Sequence, residues 1–179
     1  MFLRFSLLTK RGRGCIIISN NFIGAKMKTI TSFTVDHDFI DPGMYISRID
    51  GDVTTFDMRT RKPNSGDYMD NLTMHSLEHM FATYIRNSAI GESVIYFGPM
   101  GCRTGFYLLT RDIDKNVVLD ETKKALSAIV SHEGKMFGAA RKACGNFRGL
   151  SLAAAKKEAA HYLSVLENMD VDFKYKAEL

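Results

Sequence analysis

Polar and apolar side chains alternate over residues 55–59 of the segment 53–59, which is the pattern of a half-buried β-strand. The polar positions include Thr55, Asp57 and Arg59, and the apolar ones between them are Phe56 and Met58. Residues 44–48 precede this segment across the turn Asp50-Gly51-Asp52. The two segments are therefore predicted to form a hairpin, with Phe56 and Met58 facing the core.

The remaining apolar runs extend the pattern to a complete domain. Short runs at residues 94–97 and 105–110 predict two more strands. Apolar residues recur at helical spacing in three segments, which are residues 71–88, 114–133 and 151–169. Four strands interrupted and followed by three helices predict an α+β fold, in which an antiparallel sheet carries its helices on one side. With 179 residues and 45% hydrophobic content, the chain suits a single domain over residues 27–179.

Charge is distributed unevenly along the chain. Residues 1–26 hold five of the 24 basic residues and none of the 20 acidic ones, so this segment carries +5 and the remainder −1. The remainder has no basic excess of the kind that binds nucleic acid. Lys10, Arg11 and Arg13 interrupt any secretory signal, and no run of about 18 apolar residues predicts a membrane span. We expect residues 1–26 to be a disordered tail or to precede a true start at Met27, with a transit peptide as the alternative.

The first predicted helix contains the densest candidate chemistry. His75 and His79 are four residues apart, so their imidazoles share one helix face and can bind one metal ion. Glu78 directly precedes the second histidine and can act as a base beside the ion. This HxxEH order is the signature of inverted zincins. An exposed polar helix face is the alternative explanation of so short a pattern.

Two cysteines are candidates for the rest of a site. A catalytic metal usually has three protein ligands, and Cys144 in the turn Ala143-Cys144-Gly145-Asn146 could approach an ion freely. Cys102 lies in a Gly-rich and Pro-rich turn directly before Arg103, whose charge favours a thiolate suited to proton transfer. The alternatives are an inert buried cysteine at 144 and a free thiol packed under a loop at 102. Three cysteines without paired spacing argue against a disulfide scaffold and favour a reducing cytoplasm.

Several separated motifs follow one another in the order found in a known enzyme family. They are Ser32-Phe33-Thr34-Val35-Asp36-His37, Thr55-Phe56-Asp57-Met58-Arg59 with Pro63-Asn64, residues 75–79, residues 98–107 and Cys144-Gly145-Asn146. Together they closely resemble the LuxS family of S-ribosylhomocysteine lyases, which make the precursor of autoinducer 2. Ser76 stands where Thr is common in that family, and Tyr96 stands where some members carry Asp, which bears on substrate contacts.

The resemblance implies a role for each matching residue. His75, His79 and Cys144 would bind one divalent metal per subunit, which is ferrous iron in that family, with zinc or cobalt tolerated. Glu78 and Cys102 would be the general acid/base residues. Ser32, His37 and Arg59 would contact the substrate, in a site at the interface of a homodimer.

The implied reaction yields homocysteine and 4,5-dihydroxypentane-2,3-dione. The carbonyl migrates along the sugar chain until β-elimination releases the thioether sulfur, and each step removes a proton next to a carbonyl. A Lewis-acidic metal flanked by two bases suits that chemistry, with Glu78 and Cys102 as the bases. The rival from another reaction class is an inverzincin-type zinc peptidase with Glu158 as third ligand, so Cys144 and Glu158 distinguish the two. A metal-dependent regulatory or storage protein is the non-enzymatic alternative.

Overall fold

The computed structural model describes residues 34–176. Within this range four strands and three α-helices follow one another in the predicted alternation. They are β1 (Gly43–Asp50), β2 (Val53–Arg59), α1 (Asn71–Arg86), β3 (Val94–Pro99), β4 (Gly105–Arg111), α2 (Lys115–Ser131) and α3 (Leu152–Glu167). The predictions for Ser32 and for residues 1–26 fall outside the described residues.

The four strands form one antiparallel sheet in the order β1-β2-β4-β3. The central strands β2 and β4 pair over their whole length, from Val53 opposite Arg111 to Arg59 opposite Gly105. Only glycine fits at position 105, because a Cβ there would lie 2.5 Å from the carbonyl oxygen of Met58. This register places the turn between β3 and β4, which contains Cys102, directly beside Arg59 at the end of β2.

One face of the sheet packs against the three helices and forms the main hydrophobic core. Phe56 and Met58 of β2 are 0% and 1% exposed there, beside Phe106 and Leu108 of β4. Each such side chain contributes about 1.5–3 kcal/mol by its burial. The predicted α+β fold and the predicted inward face of β2 are confirmed.

The opposite face is partly covered by a second, smaller cluster. It consists of Val35, Ile40 and Tyr45, with Tyr175 from the C-terminal segment packed against it. Because of this cover, Asp57 and Arg59 are only 1% and 2% exposed, although both are charged and lie on the face away from the helices. Two buried charges of opposite sign persist because they pair with each other.

The helix ends differ from the predicted ones by a few residues. Helix α1 begins after Asp70, whose carboxylate accepts a hydrogen bond from Thr73 N at 2.6 Å. This N-cap lowers the pKa of Asp70, since the bond from the Thr73 backbone favours the charged form. Asp114 and Ser151 cap α2 and α3 in the same way. No helix within residues 34–176 is long and apolar enough to cross a membrane.

Candidate active site

Helix α1 and the loop before α3 bring His75, His79 and Cys144 together. The two imidazole rings lie 4.7 Å apart, centroid to centroid, at 84° to each other. The sulfur of Cys144 lies 3.3 Å from Nε2 of His75. One ligand atom from each residue lies within 4.8 Å of the others, and all three residues are half-buried. These separations suit three donors on one ion.

Backbone carbonyls orient both histidines. Nδ1 of His75 lies 2.9 Å from Gly149 O, and Nδ1 of His79 lies 3.1 Å from Phe137 O. A carbonyl oxygen only accepts hydrogen bonds, so each Nδ1 carries a proton, and Nε2 is the nitrogen left to bind a metal. Metal-binding histidines typically have this arrangement. The donor set of two imidazoles and one thiolate therefore fits a catalytic divalent metal.

The loop that carries Cys144 is attached to α1. Cys144 N donates to Ala140 O at 3.1 Å, and Asn146 N donates to the sulfur of Cys144 at 3.3 Å. At the end of the loop, Ser151 N donates at 2.8 Å to the hydroxyl of Ser76, which is 0% exposed. Ser76, between the two histidines, thus fixes the loop on the helix that carries them.

Gly138 provides a test of the His79 environment. It has a φ of +67°, and a Cβ there would lie 2.5 Å from Nδ1 of His79. We expect Gly138→Ala to push the imidazole away and to lower metal affinity by about 10–100-fold, the usual effect of disturbing a ligand's support. Competition with a chromophoric chelator measures this affinity.

The matched control is Gly134→Ala. Gly134 also has a positive φ, +113°, but a Cβ there would meet no atom within 4 Å. Both variants therefore carry backbone strain, and only Gly138→Ala disturbs His79. Equal metal affinity of the two variants would contradict the predicted role of the Gly138 segment.

Glu78 lies on the same helix as the two histidines and is half-buried. Within residues 34–176 its carboxylate has no hydrogen-bond or ion-pair partner. A carboxylate in that state is available to accept a proton from a bound substrate.

Cys102 belongs to a second group of residues, at the end of the sheet. Its sulfur lies 3.0 Å from the hydroxyl of Thr104 and 3.9 Å from Nη1 of Arg59. The same Nη1 donates to Thr104 Oγ1 at 2.6 Å, while Nη2 and Nε of Arg59 bind the two carboxylate oxygens of Asp57. Burial alone would lower the pKa of Arg59, but the charge and hydrogen bonds of Asp57 raise it overall. Cys102 therefore has a permanent cation beside it.

The cation nearest the sulfur is not the one expected from the sequence. Arg103, the chain neighbour of Cys102, has its guanidinium over the ring of Tyr68, 5.6 Å from the ring centroid. Arg59 instead approaches the sulfur, from 43 residues away in sequence. This contact could not be predicted from neighbours along the chain. It arises because β2 pairs with β4 and places Arg59 opposite Gly105.

His37 joins this second group. An open cleft of about 320 Å³ is lined by His37, Pro63, Asn64, Tyr68, Gly101, Cys102, Arg103 and Thr104. His37 also borders a much smaller cavity beside Asp57 and Arg59. The structure thus places His37 and Cys102 on one cleft large enough for part of a small polar molecule, with buried Arg59 behind Cys102. None of His75, His79 and Cys144 lines that cleft.

Tyr96 lies apart from both groups. It is 51% exposed on β3, and its hydroxyl lies over Gly98, where a Cβ would meet it at 2.1 Å. It does not line the Cys102 cleft.

Glu158 is paired with Arg61 and does not belong to the group of proposed metal ligands. It is 3% exposed, and its two carboxylate oxygens accept hydrogen bonds from Arg61 at 2.8 and 2.5 Å. Within the part of the chain that the structure describes, the ligand atoms that converge belong to His75, His79 and Cys144 and not to Glu158. The zinc peptidase alternative, which needs Glu158 as third ligand, is therefore not supported.

Comparison with known proteins gives a consistent result over most of the chain. The family model described as "S-Ribosylhomocysteinase (LuxS)" matches residues 30–172. An S-ribosylhomocysteine lyase of Borreliella burgdorferi (strain ZS7) is 41% identical over 156 residues, which are 83% of this chain and 99% of the relative. Relatives with the same name from Clostridium acetobutylicum and Phocaeicola vulgatus are 40% and 42% identical, over 82% and 83% of this chain and 96% and 97% of their own.

Proposed function

The chain belongs to the LuxS family of S-ribosylhomocysteinases, and from this premise we propose that it cleaves S-ribosylhomocysteine with the two residue groups described above. The products would be homocysteine and 4,5-dihydroxypentane-2,3-dione, the autoinducer 2 precursor. The observation that carries the proposal is the convergence of His75, His79 and Cys144 within 4.8 Å, in a chain that also holds Cys102 beside Arg59. A carbon–sulfur lyase of this kind needs both a cation site and a poised base.

The family is metal-dependent, and we propose that His75, His79 and Cys144 hold the metal. A divalent ion bound there supplies Lewis-acid stabilisation of negative charge that develops on a substrate oxygen. Two imidazoles and a thiolate suit ferrous iron, zinc or cobalt, and ferrous iron is our proposal for the physiological ion. A ferrous site beside the free cysteines Cys102 and Cys144 also favours a reducing cytoplasm as the location of the protein.

Proton movement is assigned to Cys102 and Glu78. Nη1 of Arg59 and the hydroxyl of Thr104 lie 3.9 and 3.0 Å from the Cys102 sulfur, so a positive charge and a hydroxyl stand beside the proposed base. The thiolate would take a proton from the carbon next to a carbonyl and return it to the adjacent carbon. Glu78, on the helix of the two histidines, would exchange protons on the metal side of the substrate.

Substrate contacts are assigned to Ser32, His37 and Arg59. His37 lines the cleft of about 320 Å³ that contains Cys102, so its imidazole can bind a sugar hydroxyl there. Four donor contacts of Arg59 already go to Asp57, Thr104 and Cys102. Most of its hydrogen-bonding capacity is therefore used to hold protein groups, which supports a role in orienting Cys102, and one N–H remains for the proposed substrate contact.

A homodimer would complete the site. The Cys102 cleft is lined by none of the three proposed metal ligands, yet the reaction needs the cation and the base at one substrate. We propose that a second copy of the chain brings the metal-binding group of one protomer to the Cys102 group of the other.

The proposal is tested by incubating anaerobically purified, iron-loaded protein with S-ribosylhomocysteine and following homocysteine thiol with a colorimetric reagent. We expect thiol release that stops when a chelator removes the metal and returns when ferrous iron is added. Protein that is fully loaded with metal and releases no thiol would contradict the proposed activity. Peptide substrates assayed in parallel are expected to stay intact.

A further inference from the structure

The C-terminal segment of residues 171–176 is attached to β1 and contributes to both hydrophobic clusters, Phe173 to the main core and Tyr175 to the second cluster. Ile46 N donates to Phe173 O at 2.9 Å, and Phe173 forms a parallel bridge with Tyr45 on β1. The side chain of Phe173 is 3% exposed and packs edge-on against Phe56. The Lys176 ammonium lies 2.6 Å from the Asp41 carboxylate and is the main cause of the lowered pKa of Asp41.

Within this segment, Tyr175 reaches the buried ion pair on the outer face of the sheet. Its ring stacks on Tyr45 at a centroid distance of 4.8 Å. Its hydroxyl donates to Asp57 Oδ2 at 2.9 Å, the same oxygen that Arg59 Nη2 binds. Burial, followed by the charge and hydrogen bond of Asp57, raises the pKa of Tyr175 above its usual value. Tyr175 therefore remains a neutral donor at physiological pH.

A continuous chain of contacts runs from Tyr175 to the reactive sulfur. Asp57 engages two nitrogens of Arg59, and this pairing sets the plane of the guanidinium. The third nitrogen, Nη1, is then directed at Thr104 and Cys102. We propose that Tyr175 is a positioning residue, which acts through Asp57 and Arg59 to keep Cys102 reactive; this deepens the proposed function and rests on it. Tyr175 lies beyond residues 30–172, the range that matches the family.

The physical reason lies in how Tyr175 holds Asp57. A hydrogen bond from Tyr175 fixes the orientation of the carboxylate that pairs with Nε and Nη2 of Arg59. Nη1 then stays directed at Cys102 and keeps a positive charge beside the sulfur. The other ionisable groups that line the cleft are His37, Tyr68 and Arg103.

Tyr175 also limits the access of water to the ion pair. A cavity of about 10 Å³ remains between Tyr175, Asp57, Arg59 and Tyr107, which is room for one water at most. With so little room for water, the hydrogen bond to Asp57 and the field of Arg59 are stronger than they would be at an exposed site.

The test is the rate at which iodoacetamide alkylates Cys102 at pH 7 in metal-loaded protein, followed by peptide mass spectrometry. We expect Tyr175→Phe, which keeps the stacked ring and removes the hydroxyl, to slow alkylation by about 3–10-fold. In the lyase assay kcat should fall by a similar factor with KM unchanged. Metal content and the thermal unfolding midpoint, which would report a general structural role, should not change.

Tyr45→Phe is the matched control. It removes a hydroxyl from the other ring of the same stack, and that hydroxyl donates to Asp41 O at 2.8 Å instead of to Asp57. Burial raises the pKa of Tyr45 to about 12, so this residue is also a neutral donor at pH 7. We expect Cys102 in the Tyr45→Phe variant to be alkylated at the wild-type rate.

Asp57→Asn is the second variant, and it should slow alkylation at least as much as Tyr175→Phe. The proposal would be overturned if Cys102 were alkylated at the wild-type rate in Tyr175→Phe and slowly in Asp57→Asn. Tyr175 would then contribute only packing. The alkylation assay contains no S-ribosylhomocysteine. Its outcome therefore separates a failure of the Tyr175 proposal from a failure of the lyase proposal.

Discussion

Replacing Cys102 with alanine is expected to lower kcat on S-ribosylhomocysteine by about 1,000-fold or more, the scale of a lost essential acid/base group. The sulfur lies 3.9 Å from Nη1 of Arg59 and 3.0 Å from Thr104 Oγ1, and no nearby group replaces it in those contacts. Bound metal should remain, because Cys102 lies in a different group from the three proposed ligands. Steady-state kinetics and metal analysis of one preparation measure both effects.

The control for Cys102→Ala is Cys15→Ala. This variant changes a cysteine within residues 1–26, outside the two residue groups, and should leave turnover unchanged. Cys102→Ala that loses metal together with activity would show that the sulfur supports the metal site. Cys102→Ala that keeps full activity would eliminate the thiolate as a base and leave Glu78 as the remaining candidate.

Replacing Cys144 with alanine is expected to lower metal affinity by about 1,000-fold and to abolish lyase activity. This exceeds the roughly 10–100-fold cost of losing a residue that merely supports a ligand, because a direct thiolate ligand is removed. The structure supports the expectation by placing the Cys144 sulfur 3.3 Å from Nε2 of His75. Chelator competition measures the affinity, and the visible absorption of cobalt-loaded protein reports directly whether a thiolate binds the ion.

Glu158→Gln is the matched control for Cys144→Ala. This variant should lose about 3 kcal/mol of stability, because Arg61 keeps its charge and loses its buried carboxylate partner. Its metal affinity should nevertheless match that of the wild-type protein. The opposite result, in which Glu158→Gln loses metal and Cys144→Ala keeps it, would return the peptidase hypothesis to consideration.

The two inactive variants can also be combined to test the proposed homodimer. If each site joins the metal group of one protomer to the Cys102 group of the other, a mixed dimer of Cys102→Ala and Cys144→Ala has one intact site and one doubly damaged site. Random pairing during co-expression should then restore about a quarter of wild-type activity. Absence of any recovery in verified mixed dimers would argue that each site is formed within one chain.

The local elements of the fold follow from sequence because they depend on neighbours along the chain. Period-two alternation over residues 55–59 correctly predicts both the strand and the inward direction of Phe56 and Met58. The four-residue spacing of His75 and His79 similarly places them on one face of α1. Helix ends were predicted less well, because caps such as Asn87, whose N–H bonds back into α1, depend on local geometry.

The relation between distant residues depended on tertiary structure. The LuxS resemblance identified Cys144 as a candidate ligand, but only folding brings its sulfur to His75 across 69 residues of sequence. Arg103 adjoins Cys102 in sequence, yet its guanidinium lies over Tyr68, and strand pairing supplies Arg59 instead. Tyr175 carries no local signal at all, since its hydrogen bond to Asp57 spans 118 residues.

The sequence by itself thus determined the elements, the α+β class, the HxxEH pair and the family, because covalent spacing and motif order act locally. The tertiary structure decided which cation faces Cys102, why Glu158 is committed to Arg61, and how the C-terminal segment reaches the Asp57–Arg59 pair. Those contacts arise when strand register and helix packing bring distant segments within a few ångströms of each other. Hydrophobic burial drives that packing, and buried charges then pair with whatever partners it places beside them.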